Sequence, residues 1–223
     1  MYRHFEEVEG ELKNQILFMG SLAEEMIHLA VQGLVERKKE PLCHVAQNEE
    51  RVNRLHIDVD NRCLNLIALY QPAATDLRFI IAAIKINSDL ERIGDQAVNI
   101  SQTTELLLSQ PQLERKLLDI PRMAELAQNM LRDSLDAFVK KDVALARTVL
   151  ARDAEEDQLK SEAFNELMQL MQSDASTIQR ALGLILIARN LERVADHATN
   201  IAEDVIFMAL GQDIRHHAED AAG

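Results

Sequence analysis

Apolar residues recur along almost the whole chain at intervals of three and four, the period of an amphipathic α-helix. Between Phe5 and Arg37 the stripe runs through Leu12, Ile16, Met19, Leu22/Ala23, Met26, Ala30 and Leu34. It breaks wherever a proline stands, at Pro41, Pro72, Pro111 and Pro121. Proline cannot donate a backbone hydrogen bond in a helix interior but is tolerated in a first turn. The pattern therefore predicts helices over residues 5–37, 41–69, 72–108, 120–139, 143–171 and 174–209. Ser109-Gln110-Pro111-Gln112 reads as a linker, and Gly211 suits a C-terminal helix stop.

The helical pattern is written twice. Leu90-Glu91-Arg92-Ile93-Gly94-Asp95-Gln96-Ala97-Val98-Asn99-Ile100 returns as Leu191-Glu192-Arg193-Val194-Ala195-Asp196-His197-Ala198-Thr199-Asn200-Ile201, with seven of eleven positions identical. The offset is 192 − 91 = 101. Upstream, Met19 to Met26 aligns with Met123 to Met130 at an offset of 123 − 19 = 104, kept by Val35/Val139, Val45/Val149 and Leu55/Leu159. The difference falls in the connector, where Tyr70 to Thr75 is longer than Ser173 to Ala175. A repeat of about 100 residues is too long for a solenoid module and suits a duplicated antiparallel bundle. The expected fold is all-α, with two tandem, pseudo-symmetric three-helix bundles made of six antiparallel helices. Residues 1–108 form the first and 109–223 the second, which ends in a short tail.

Composition narrows the function. With 47% apolar and 27% charged residues, few glycines and prolines, and 223 residues in all, the chain is a folded helical protein. A net charge of −13 repels a phosphate backbone, so nucleic acid is not an expected partner. Cys43 and Cys63 make no metal-type pair and read as reduced thiols of a cytosolic protein. The N-terminus lacks the apolar run of a signal peptide. The longest apolar runs are far short of the ~20 residues that span a bilayer, so no direct membrane insertion is expected.

The chemistry lies in acidic pairs four residues apart, which share one helix face. Glu91/Asp95 and Glu192/Asp196 form two of them, and Asp153/Asp157 a third. The repeat mates of Asp153 and Asp157 are Glu49 and Asn53. Each hairpin, folded about its turn, brings its two pairs to the same height. Glu49 and Asn53 lie 23 and 19 residues before Pro72, and Glu91 and Asp95 lie 19 and 23 after it. Asp153 and Asp157 lie 21 and 17 before Asp174, and Glu192 and Asp196 lie 18 and 22 after it. Such all-oxygen clusters suit Mg²⁺, Ca²⁺, Mn²⁺ or iron. A lone acidic pair is more often a solvated helix face, with Arg92 and Arg193 as weak surface partners. Duplication and matched heights favour the cation site. The Glu-x-x-His spacing of a ferritin-like di-iron site occurs at Glu25–His28, but its repeat mates are Asn129 and Arg132, which excludes that class. Asn99 and Asn200, one turn further along, could extend either site, but more often such residues hydrogen-bond a neighbouring helix; His197 has Gln96 as its mate, and His216 and His217 read as solvated.

These residues resemble the PhoU family of phosphate-signalling proteins. The resemblance covers nearly the whole chain and is strongest in Gln71-Pro72-Ala73-Ala74-Thr75-Asp76-Leu77-Arg78, in Leu90 to Asp95 and in Ala188 to Glu203, with Met19-Gly20 on the first helix also similar. It implies metal binding through Glu/Asp-x-x-x-Asp motifs on each bundle, which fall on Glu91/Asp95, Asp153/Asp157 and Glu192/Asp196. Glu49 departs from the pattern, being followed by Asn53 rather than an acid. The bound ions would be iron, zinc, manganese or magnesium. The resemblance further implies a cytoplasmic, non-enzymatic negative regulator of the phosphate-starvation response. Its implied partners are the ATPase of a phosphate-specific ABC transporter and a sensor histidine kinase. A homodimer is expected. The competing readings are an accessory protein of a different transporter and a metal-dependent phosphohydrolase.

Overall fold

The computed structural model describes residues 2–113 and 119–214, with side chains from residue 7 onward. The described residues form α1 (Tyr2–Glu36), α2 (Glu40–Tyr70), α3 (Ala74–Leu108), α4 (Ile120–Lys140), α5 (Val143–Ser173) and α6 (Ile178–Leu210). The stripe predicted for α1 is buried throughout, from Leu12 to Leu34.

Local chemistry places the helix ends. Pro41 and Pro121 stand in the first turns of α2 and α4, where no backbone donor is missed. Asp142 caps α5, its carboxylate accepting from the Leu145 backbone N–H at 3.0 Å. Gly211, at φ 72°, closes α6 and donates its N–H to the Phe207 carbonyl at 2.8 Å. Two starts fall later than the sequence pattern sets them. α3 begins at Ala74 rather than Pro72, because Gln71 turns left-handed to cap α2 and proline keeps the residue before it out of the helical region. α6 begins at Ile178, because the Asp174 side chain accepts from the Ser176 N–H and winds Ala175–Thr177 into a tighter 3₁₀ turn.

α1–α2–α3 and α4–α5–α6 are antiparallel three-helix units, as the repeat predicts. They pack together through α3 and α6, which run antiparallel and share the most extensive helix–helix contact in the molecule. α1 also meets α3 and α4, so α1, α3, α6 and α4 form a central four-helix group with α2 and α5 outside it. Polar links cross the seam: Lys85 Nζ lies 2.7 Å from Asp204 Oδ1, and His197 Nδ1 lies 2.8 Å from Asp89 Oδ1. Phe79 of α3 stacks on Phe138 of α4 with ring centres 5.6 Å apart. Arg37, at the end of α1, donates to the carbonyl oxygens of Leu108 and Gln110 at 3.2 and 2.6 Å, fixing the start of the linker. The buried side chains of both units join in one apolar core.

Candidate metal centre

In the first unit the α2–α3 register is set by close contacts. A Cβ on Gly94 would lie 3.4 Å from Val52 Cγ1. Asn87 donates to the His56 carbonyl and to Asp60 Oδ1, each at 2.9 Å. With Val52 level with Gly94, antiparallel helices set Glu49 opposite Ala97 and Asn53 opposite Ile93, each within two residues of Asp95 or Glu91. Glu49 and Glu91 are half-buried, and Asn53 and Asp95 are exposed.

The second unit repeats this exposure pattern at Asp153, Glu192, Asp157 and Asp196 and adds a direct link. Lys160 Nζ bridges the hairpin, 2.6 Å from Asp157 Oδ1 on α5 and 2.7 Å from Glu192 Oε1 on α6. These two bonds hold the Lys160 ammonium above the ordinary lysine range. Burial, then the charges of Asp157 and Glu192, push the Asp153 carboxyl up, with Lys160 opposing. Burial, then Glu192 and Asp153, do the same to Asp196, with His197 opposing. The acids of the two helices therefore repel one another across the hairpin.

A further acid belongs to this group. Glu156 is fully buried, and among the described residues neither of its carboxyl oxygens has a hydrogen-bond partner. Burial, followed by the charges of Glu192, Glu155, Asp153 and Asp157, pushes its pKa up to about 8. The sequence did carry a signal for it. Val149, Glu156 and Ala163 stand at heptad spacing on the buried side of α5, and their mates on α2 at the offset of 104 are Val45, Val52 and Val59. Glu156 is the acid in an otherwise apolar stripe. Lys160 was missed for a different reason: its reach to Glu192 is a tertiary contact, whereas its mate, His56, pairs with Asp60 of its own helix.

Other sequence candidates turn elsewhere. Asn200 donates to Asp89 Oδ1 at 3.4 Å, and His197 meets the same carboxylate, so both serve the α3–α6 seam. Glu25 accepts from Asn48 Nδ2 at 3.1 Å. Cys43 is exposed, while burial pushes the Cys63 thiol up to about 12, so it stays protonated. His216 and His217 lie outside the described residues.

Among the described residues, no three acid, histidine or cysteine side chains converge on a single point. Each unit instead brings its acids to about one level on two helices, and in the second unit Lys160 stands between Asp157 and Glu192. The donor set is oxygen only, which fits hard and borderline cations. The orphaned Glu156 carboxyl is a buried donor that such a cation would satisfy. Beside the second cluster, a groove of about 530 Å³ opens between α5 and α6, walled by Lys160, Phe164, Ile185, Arg189 and Glu192.

No helix among the described residues is long and apolar enough to cross a membrane. The family model described as PhoU domain matches the chain twice, over residues 16–104 and 120–205. A protein of Aquifex aeolicus named phosphate-specific transport system accessory protein PhoU homolog is 38% identical over 95% of this chain and 95% of its own length. A Pseudomonas putida protein of the same name is 37% identical over 92% of this chain and 80% of its own. The crystal structure of PhoU from Pseudomonas aeruginosa superposes with a TM-score of 0.90 at 33% identity, covering 93% of this chain and all of that one. The phosphate transport system regulatory protein PhoU from Streptococcus pneumoniae superposes with a TM-score of 0.86 at 29% identity, covering 94% and 98%. Two family matches, one in each half, and full-length relatives of this similarity establish that the chain belongs to the PhoU family.

Proposed function

We propose that this protein is a non-enzymatic accessory protein of phosphate-specific transport. It acts in the cytoplasm as a negative regulator of the phosphate-starvation response. It couples the transporter, through its ATPase, to a sensor histidine kinase, and each half holds metal ions on its paired carboxylates. The observation that carries this reading is the double family match, with every acid of both clusters inside a matched segment: Glu49, Glu91 and Asp95 in the first, Asp153, Asp157, Glu192 and Asp196 in the second. The names of the relatives, which place those proteins in phosphate-specific transport, support it further.

The regulatory role is tested by deletion. A strain lacking the protein should express phosphate-starvation genes at high phosphate, and normal repression there would sink the role. Co-purification of the transporter ATPase tests the partner. The metal role is tested by elemental analysis and anomalous scattering after loading with iron, zinc, manganese or magnesium. An absence of metal at both clusters would remove it. The homodimer is tested by light scattering, where a concentration-independent mass of one chain would refute it.

A further inference from the structure

We infer that Glu156 is an additional ligand of the second carboxylate cluster, reaching it from the core side, and that the two halves therefore bind cations unequally. The inference rests on the metal-binding reading above and goes beyond the four acids on which that reading stands.

Three observations carry it. Glu156 is fully buried, and among the described residues both of its oxygens are unpartnered, an arrangement that a core disfavours. Packing does not explain it, because the equivalent position of the first unit is filled by Val52, which is also buried and has no polar atom to satisfy. The carboxyl also lies within the electrostatic reach of Glu192 across the hairpin and of Asp153 and Asp157 on its own helix. On α5, Glu156 stands three residues after Asp153 and one before Asp157, on the face turned toward α4 and α6. Its carboxyl therefore stands one helical turn from that of Asp153, on the core side of α5. The second unit thus offers Asp153, Glu156, Asp157, Glu192 and Asp196, against Glu49, Glu91, Asp95 and the neutral Asn53 in the first. More anionic oxygen donors give tighter binding of a hard divalent cation.

The test is a titration of the chelator-stripped full chain with Mn²⁺, the free ion being counted by electron paramagnetic resonance. The wild type should show a tighter and a weaker class of sites. E192Q should abolish the tighter class, which assigns it to the second cluster. E156V, which copies the first unit, should weaken that class by at least about 10-fold and leave the weaker class unchanged. E156Q preserves volume and decides the matter if E156V is not folded by circular dichroism. If E192Q weakens the tight class while E156V and E156Q leave it untouched, the assignment of Glu156 is overturned and the metal reading stands. If the wild type takes up no Mn²⁺ at saturable sites, the metal reading fails and this inference with it.

Discussion

Lys160 and Glu192 clasp the α5–α6 hairpin, Nζ to Oε1 at 2.7 Å, and the same ammonium holds Asp157 at 2.6 Å. An ammonium between two carboxylates stands where an incoming cation is most strongly attracted, so the chain carries its own competitor for the second cluster. K160M keeps the length of the side chain and removes the charge. It should raise the Mn²⁺ affinity of the second cluster several-fold, on the order of 1 kcal/mol for a half-exposed charge. The first cluster, where His56 takes the place of Lys160, should not change. An unchanged or weaker second site by the same paramagnetic titration would show that Lys160 supports binding rather than competing with it.

Glu156 makes the metal-free protein sensitive to pH in a particular window. An ordinary glutamate ionises near 4.5, and in the folded chain this one ionises near 8. Below 4.5 both states hold the proton and the group has no effect. Between 4.5 and 8 the unfolded chain has released its proton while the folded chain keeps it. The folded state therefore loses about 1.4 kcal/mol for each pH unit of rise through this window. E156Q removes the titration. Its stability relative to wild type should be little changed at pH 4.5 and should gain on the order of 3 kcal/mol by pH 7, measured by urea denaturation in the presence of a chelator. A difference that does not vary with pH would mean that Glu156 is not held protonated by the fold.

The seam between the halves predicts how the protein unfolds. α3 and α6 lie side by side at the centre, Lys85–Asp204 crosses between them with Asp204 buried, and Leu107 packs against Gly183. With one core shared by both repeats, urea should unfold the full chain in one cooperative transition rather than two. A fragment of residues 1–112 would expose the apolar face of α3 to water and should be aggregated or poorly ordered by near-ultraviolet circular dichroism and light scattering. A fragment that is monomeric, with a stability close to that of the whole, would show that the halves fold independently.

The sequence displayed the helices because each has an apolar stripe on one face, and proline and glycine punctuate them. The register of each hairpin was legible to within about two residues, since counting from Pro72 and from Asp174 sets the acidic pairs near one height. Glu49 and Asn53 come within two residues of the level of Asp95 and Glu91, and Lys160 joins Asp157 to Glu192. What escaped was tertiary. The stripe of α3 looks like that of any bundle helix, and nothing local says that its far side meets α6 rather than water. Glu156 escaped because an acid within a helix reads as solvent-facing until its position is compared with Val52. The starts of α3 and α6 shifted because side-chain and left-handed caps, which periodicity does not register, determine them.

Gly20 marks the close approach of α1 to α4. It lies on α1 with Ala124 of α4 as its repeat mate, and a Cβ built on it would overlap Leu135 Cδ1 of α4. In an open helix, glycine to alanine gains about 1 kcal/mol. Here the added methyl must displace a buried leucine, which costs about 1–3 kcal/mol in a packed core. G20A should therefore fail to stabilise the protein, and G20V should destabilise it by about 3 kcal/mol. L135A alone should cost about 2–4 kcal/mol through the cavity it leaves. The G20A/L135A double variant should cost less than the two single changes together, because the new methyl enters the space the leucine vacates. The double-mutant cycle from urea denaturation reads this coupling directly, and strict additivity would mean that α1 and α4 do not meet at these two residues.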